Sequence, residues 1–344
     1  MKNFQIPLSQ ALFVTFFLSS FLNYIVFKYS KNIILNKNKE QKRLSNNSIS
    51  PFGGIACSLA FLLSTRLIGK AEESFMLIGI FAVIISILGI IDDIYNLKWF
   101  LKLIPQIFIV SYPIYKLEIF INLESFFGLD LNNYLNLASS TLWIILIINS
   151  INFIDNMDGL AVVVSGSICL QIAFLSNYLN QYKLTDISLL LFVTIMGFFI
   201  FNYPPAKLYL GDSGSLFIGY CLGFISILFN WNPQIETIYS SPFSPILLFF
   251  IIPLLDFLTV ISYRIKEGIS PTTGGTDHIS HRLLAAKFSE RNVLNIFLLY
   301  SISFFVLILI SINGSTMFSY GSVGILFLLF AFTYIKIRNM KILN

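Results

Sequence analysis

Charge is what this sequence has least of. Of its 344 residues only 11% are Asp, Glu, Lys or Arg, against about 25% in an ordinary soluble domain. A chain so poor in charge cannot cover its surface with polar groups, which excludes a water-soluble globule. Cysteine is scarce as well. Cys57, Cys169 and Cys221 all fall in apolar runs with no CxxC pair, which excludes a disulfide framework and gives no zinc-site spacing. His278 and His281 are the only histidines. Low-complexity segments, long linkers and a separate soluble domain are absent, so residues 1–344 read as a single integral-membrane domain. The net charge is +5, its distribution matters more than its sum, and nucleic acid is not expected among the partners.

What the chain does have is apolar length. Hydrophobic residues make up 56% of it, 36 of them Phe, and the mean hydropathy is +0.80. The 16 tyrosines suit interfacial belts. A transmembrane helix needs about 20 apolar residues. Stretches near 8–27, 50–68, 75–91, 100–121, 138–154, 160–176, 186–202, 214–230, 245–262, 293–312 and 318–335 meet or approach that length. They predict an all-α polytopic membrane protein of about 11 transmembrane helices. The first span does not read as a cleaved signal peptide, because most of its flanking basic residues follow the apolar run and no A-x-A-like site closes it. If the N-terminus lies outside, only Lys2, Arg66, Lys70, Lys116 and Lys183 of the 22 Lys and Arg face outward. That bias predicts an outside N-terminus and a cytoplasmic C-terminus in a bacterial inner (plasma) membrane.

On this map the remaining polar residues gather on the cytoplasmic side. Asp92 and Asp93 end the third span in GIIDDIYNLKWFLK, and Asn149, Asn152, Asp155, Asn156 and Asp158 end the fifth in NSINFIDNMDGLA. Asn202, Lys207 and Asp212 lie in FNYPPAKLYLGDSGS, and both histidines lie in GGTDHISHRLL. Carboxylates at the ends of membrane helices are costly and mark function, although a lone Asp there can simply be a solvated loop residue. Short Asp and Asn oxygens suit a hard octahedral ion such as Mg²⁺, or Mn²⁺ in its place, and Mg²⁺ takes only one or two protein ligands beside phosphate and water. The surplus carboxylates are left for acid–base or substrate work. GDSGS at 211–215 is by itself a turn and a helix cap more often than a phosphate site. Lys207, five residues before Asp212, adds a cation suited to phosphate. The HxxH spacing lacks a third soft ligand for zinc, so His278 and His281, with Arg282 alongside, point to phosphate contact or proton shuttling.

DD at 92–93, NFIDNMDGLA at 152–161, FNYPPAKLYLGDSGS at 201–215 and DHISHRL at 277–283 resemble the polyprenyl-phosphate N-acetylhexosamine-1-phosphate transferases. That family holds the undecaprenyl-phosphate GlcNAc-1-phosphate transferases and the phospho-N-acetylmuramoyl-pentapeptide transferases. The likeness runs from PFGG at 51–54 to the histidine loop. It implies transfer of a sugar 1-phosphate from a UDP-sugar to undecaprenyl phosphate in the bilayer, releasing UMP, at the first membrane step of a cell-envelope glycan pathway, with a homodimer as a candidate assembly. It implies Asp212 and Asn152 as metal residues, and Asp92, Asp93 and Asp155 as catalytic carboxylates. Asp92 would meet the lipid phosphate, with Lys102, in KxxxQ with Gln106, nearby. Asp155 and Asp158 would line the nucleotide–sugar side, where Asn202 and Lys207 bind substrate and Tyr209 stacks on uracil. His278, His281 and Arg282 would grip the diphosphate and sugar.

Three departures from the family pattern stand out. The muramoyl-pentapeptide enzymes carry three consecutive histidines, whereas this loop reads His-Ile-Ser-His-Arg, which favours a GlcNAc-type donor. Position 156 is Asn where the family often has Gly, and Phe52 replaces a small or polar residue. A CDP-alcohol phosphatidyltransferase is disfavoured because DGLA at 158–161 lacks that class's Arg. A transporter would bury its polar residues near the bilayer midplane rather than at one face. Direct attack by the lipid phosphate is favoured, with a covalent aspartyl intermediate as the alternative.

Overall fold

A computed structural model describes residues 6–30, 49–67, 73–121, 133–229 and 249–313, together with the isolated positions 325, 328 and 336. The described residues form eleven helices and no strand. In chain order they are α1 Leu8–Ser30, α2 Gly53–Thr65, α3 Glu73–Tyr95, α4 Trp99–Leu117, α5 Asn133–Ile154 and α6 Leu160–Tyr178. The rest are α7 Tyr182–Asn202, α8 Gly211–Leu228, α9 Ile251–Lys266, α10 Ile279–Ala285 and α11 Glu290–Asn313.

Seven of them (α1, α3, α5, α6, α7, α8 and α11) are long and apolar enough to cross a membrane. Their outward faces carry large apolar side chains such as Phe13, Phe21, Leu142 and Leu299, all more than half exposed. In water such a surface would aggregate, and in lipid it is the solvated one. The protein is a multi-pass membrane protein.

The bundle is organised on α8, which is apolar on every side and buried along nearly its whole length. It lies between α3 and α5. Contact with α5 is close because Gly219 and Gly223 face Ile148 and Ile144. A Cβ on Gly219 would sit 2.6 Å from the Ile148 Cα. Small residues four apart are the usual means of bringing membrane helices together.

Within the described residues the expected spans find helices, with two differences. The stretch 50–68 yields only the 13 residues of α2, about 20 Å of helix against a hydrocarbon core of about 30 Å. Its first residues are used elsewhere: the Ser50 carbonyl accepts from Tyr209 N–H at 2.9 Å, while Gly53 and Gly54 N–H donate to the carbonyls of Tyr209 and Leu210, each at 3.1 Å. Short α10, only seven residues, arises inside the histidine loop, where no helix was expected. Of the expected span 318–335 only positions 325 and 328 are among the described residues.

Candidate active site

The start of α8 is the structural centre of the site. Gly211 takes φ +70°, open to glycine at little cost. Gly54 lies so close that an added Cβ would fall 2.0 Å from the Gly214 nitrogen. These contacts seat the turn before α8 directly on the backbone of α2. The orphan N–H groups at the helix start are met by Asp93, whose Oδ2 accepts from Asp212 N–H at 3.0 Å and Ser213 N–H at 3.4 Å. A carboxylate there also complements the helix dipole. Asp93, expected among the catalytic carboxylates, is therefore buried and engaged as a helix cap.

Its neighbour Asp92 points into a charged cluster. The Lys102 ammonium lies 2.7 Å from Asp92 Oδ2 and 2.8 Å from Asp212 Oδ2. Leu97 N–H donates to Asp92 Oδ1 at 2.9 Å, fixing the carboxylate. Asn152 Nδ2 donates to Asp212 Oδ1 at 3.0 Å and to Ser215 Oγ at 2.8 Å. Four helices thus deliver one cluster: α3 with Asp92, α4 with Lys102, α5 with Asn152 and α8 with Asp212. Two carboxylate oxygens converge on one cation position, a donor set of hard oxygens that fits a Mg²⁺-type ion sharing its shell with phosphate and water. Among the described residues no group of three or more His, Cys, Asp or Glu could hold a metal, so protein ligands alone do not complete a shell. Asn152 turns its amide nitrogen, not its oxygen, toward Asp212, and in this arrangement it orients the carboxylate.

The second group borders this cluster. Asp155 is half-buried at the end of α5. Asp158 Oδ2 accepts from Ala206 N–H at 2.8 Å, tying the DGL turn to the PPAK loop. Asn202 strengthens the same tie. Its Oδ1 accepts from Gly159 N–H and its Nδ2 donates to the Leu208 carbonyl, both at 3.0 Å, and it is only 3% exposed. Both ends of the amide are spent on backbone, so Asn202 holds the loop here rather than presenting itself to substrate. Tyr209, expected to stack on uracil, is buried at 7% exposure. Lys207 is exposed.

The histidine loop follows α9. Arg264 grips Asp277 with Nε to Oδ2 at 2.7 Å and Nη2 to Oδ1 at 2.8 Å, and its Nη1 donates to the Pro271 carbonyl at 2.8 Å. This bidentate pair closes the loop over 267–277. Burial works to raise the Asp277 pKa, but the Arg264 guanidinium outweighs it and holds the carboxyl below its usual range. His278 Nδ1 lies 2.8 Å from Asp256 Oδ2. His281 is 1% exposed and neither ring nitrogen has a hydrogen-bond partner. Burial first, and then His278 beside it, push its pKa down to about 4. Arg282 donates from Nε to the Asp277 carbonyl at 3.0 Å and lies over Tyr263, so its visible task is bracing the loop.

Phe153 joins the two regions, its ring 5.7 Å from His278 and 5.6 Å from the Arg264 guanidinium carbon. Ser280 Oγ donates to Asn156 Oδ1, so the unusual Asn at 156 meets the unusual Ser of the histidine loop. Sequence reasoning missed Asp256 and Arg264 as parts of the site. Only their charge within an apolar helix hinted at them.

The chain is also similar in sequence to known proteins. Residues 75–230 match glycosyl transferase family 4. A probable undecaprenyl-phosphate N-acetylglucosaminyl 1-phosphate transferase of Bacillus subtilis (strain 168) is 31% identical over 311 residues, covering 88% of this chain and 84% of that one. A decaprenyl-phosphate N-acetylglucosaminephosphotransferase of Mycobacterium leprae (strain TN) is 28% identical over 230 residues, 61% of this chain and 58% of its own. A phospho-N-acetylmuramoyl-pentapeptide-transferase of Wolbachia pipientis wMel is 26% identical over 324 residues, 83% of this chain and 94% of its own. With the motifs placed as above and a relative matched along most of both chains, the protein belongs to glycosyl transferase family 4, among the polyprenyl-phosphate N-acetylhexosamine-1-phosphate transferases.

Proposed function

We propose that the protein transfers a HexNAc 1-phosphate from a UDP-sugar to undecaprenyl phosphate, in the bacterial inner membrane with its site facing the cytoplasm. The observation that carries this reading is the convergence of Asp92, Lys102, Asn152 and Asp212 from four helices at the start of α8. The orientation is supported by the crowding of Lys and Arg onto the side that holds the motifs. The GlcNAc-type branch is favoured over a muramoyl-pentapeptide donor by the His-Ile-Ser-His-Arg loop.

In the reaction an oxygen of the lipid phosphate attacks the β-phosphorus of the donor. The new P–O–P bond forms as the bond from that phosphorus to the α-phosphate oxygen breaks, and UMP leaves with the electron pair. Phosphoryl transfer asks mainly for positioning and charge neutralisation. A divalent cation on Asp212 and Asp92 would supply that neutralisation at the diphosphate. Lys102 reaches the same place and holds the incoming lipid phosphate. With its second pKa near 6, that phosphate is already ionised at neutral pH, so Asp92 aligns it more than it deprotonates it. Asn152 orients Asp212, and Asp155 and Asp158 line the nucleotide–sugar side with Lys207. His278 and His281 meet the diphosphate and sugar. Asp93, Asn202 and Tyr209 hold the loops in place.

Purified protein given undecaprenyl phosphate, Mg²⁺ and a panel of UDP-sugars should form lipid-linked product with release of UMP, best with a UDP-HexNAc. No product with any UDP-sugar would refute the reading. Product with UDP-MurNAc-pentapeptide alone would move the protein to the other branch.

A further inference from the structure

One buried carboxylate belongs to none of the motifs. Asp256 sits within apolar α9 and is 1% exposed. A charge there is costly unless its oxygens are satisfied, and both are. Oδ1 accepts from Ile279 N–H at 2.8 Å and Oδ2 lies 2.8 Å from His278 Nδ1. Two consecutive residues of the histidine loop are therefore clamped by one side chain of α9. The clamp falls at the start of α10, where His278 is the capping residue in extended conformation.

We propose that Asp256 is a positioning residue for the transfer reaction, fixing both the orientation and the tautomer of His278. An ionised carboxylate only accepts hydrogen bonds, so the ring proton belongs on Nδ1. That leaves Nε2 as the one ring nitrogen available to a ligand. When the ring is protonated it donates from both nitrogens, to Asp256 on one side and to a phosphoryl oxygen on the other. The neighbours agree with such a task. The His278 ring lies 5.7 Å from that of Phe153, next to Asn152 in the chain, and 5.6 Å from that of unpartnered His281. A histidine held by a carboxylate on its far nitrogen is a recurrent arrangement where imidazole must meet a ligand at a fixed angle. This inference rests on the proposed reading of His278 as a contact to the donor diphosphate.

Asp256→Asn is the discriminating variant. Its side chain keeps the volume and can still accept from Ile279 N–H, but it then presents an NH₂ to His278 and favours the opposite tautomer. The chain has only two histidines, so ¹⁵N-histidine spectra of the full-length protein in detergent contain two rings, assigned with His281→Asn. In the wild type at pH 8, neutral His278 should carry its proton on Nδ1, and in Asp256→Asn on Nε2. The kcat with the best UDP-sugar should fall roughly 10- to 100-fold, as when an orienting partner of a histidine is lost, with the KM for lipid phosphate unchanged. Adding Asp256→Asn to His278→Ala should cost nothing further, because the two act as a unit. Three results would overturn the proposal: a wild-type His278 protonated on Nε2, which needs no folded variant; an Asp256→Asn enzyme of normal kcat; or additive losses in the double variant. If the wild type turned over no UDP-sugar, the reaction reading would fall while the tautomer measurement still stood.

Discussion

At the start of α8, polar side chains from four helices satisfy one another, whereas in the histidine loop His281 keeps both ring nitrogens without a protein partner. The first region is a charged cluster in which the Lys102 ammonium is shared between the Asp92 and Asp212 carboxylates. The second is braced from behind by Arg264, Asp256 and Arg282, and leaves a buried imidazole beside His278 with no hydrogen bond of its own. Burying a polar group with no hydrogen bond costs roughly 1–3 kcal/mol, a cost that a bound ligand would remove. The difference separates a region that stores charge from one that waits for a partner.

The strongest way to break that comparison is Asp212→Ala. Asp212 holds Lys102 and Asn152 together, and Lys102 would retain only Asp92. Turnover should fall by at least about 100-fold, the scale of losing a central electrostatic contact in phosphoryl or acyl transfer. The dependence of rate on Mg²⁺ should vanish while the detergent-solubilised protein keeps its elution volume and thermal midpoint. Near-normal activity at low Mg²⁺ would remove Asp212 from the metal role.

Much of this arrangement was legible because its motifs are contiguous. DD at 92–93 and GDSGS at 211–215 announce themselves as charges at the ends of apolar spans, and the long spans follow from hydropathy alone. What was not legible is which side chain would be spent on structure. Asp92 and Asp93 are adjacent and chemically identical, yet one helical step of about 100° sends one to Lys102 and the other to the N-terminus of α8. Asn202 and Tyr209 likewise carry plausible binding groups, and only the path of the 203–210 loop turns them inward. Asp256 and Arg264 were missed for the converse reason. They stand in an apolar helix, and the histidine-loop residues they hold, Asp277, His278 and Ile279, lie 13 to 23 residues away in the chain. The shortened α2 reflects backbone pairing with residues 209 and 210, a long-range choice that hydropathy does not encode. Seven-residue α10 is too short to show a helical period.

A smaller effect sharpens the second half of the comparison. Burial holds the His281 pKa at about 4, below the ordinary 6.5, so the ring is neutral in the folded protein at pH 7. A histidine depressed on folding takes up its proton more readily when unfolded. Its contribution to stability is then full above about pH 6.5 and fades as pH falls toward 4, by an amount on the order of 3 kcal/mol for such a shift. Asp277, also depressed, acts in the same direction but a lower window, losing its contribution only below its ordinary 3.8. Thermal inactivation midpoints of the wild type should therefore drop between pH 6.5 and 4.5, and His281→Asn should flatten that slope. An unchanged slope would mean the ring is hydrated or partnered in solution.

The smallest effect concerns the two glycines that precede the histidine loop, and it separates bracing from mere flexibility. Gly274 and Gly275 stand side by side, and in the sequence they look interchangeable as a flexible turn. Neither takes a positive φ, since Gly159, Gly211 and Gly268 are the glycines that do among the described residues, so an alanine is not strained at either position. What differs is the space. A Cβ on Gly274 would meet nothing within 4 Å, whereas one on Gly275 would fall 2.5 Å from Asp277 Oδ1 and 3.1 Å from Arg264 Nη2. Asp277 cannot give way freely, because both its oxygens are held by Arg264. Gly275→Ala must therefore loosen the bidentate pair, at about 1 kcal/mol. If the brace matters to the reaction, kcat/KM should fall about fivefold. Gly274→Ala should stay within about 0.5 kcal/mol of wild type, as surface changes do. Equal effects from both alanines would mean that backbone freedom, not the Arg264–Asp277 brace, sets the position of the histidines.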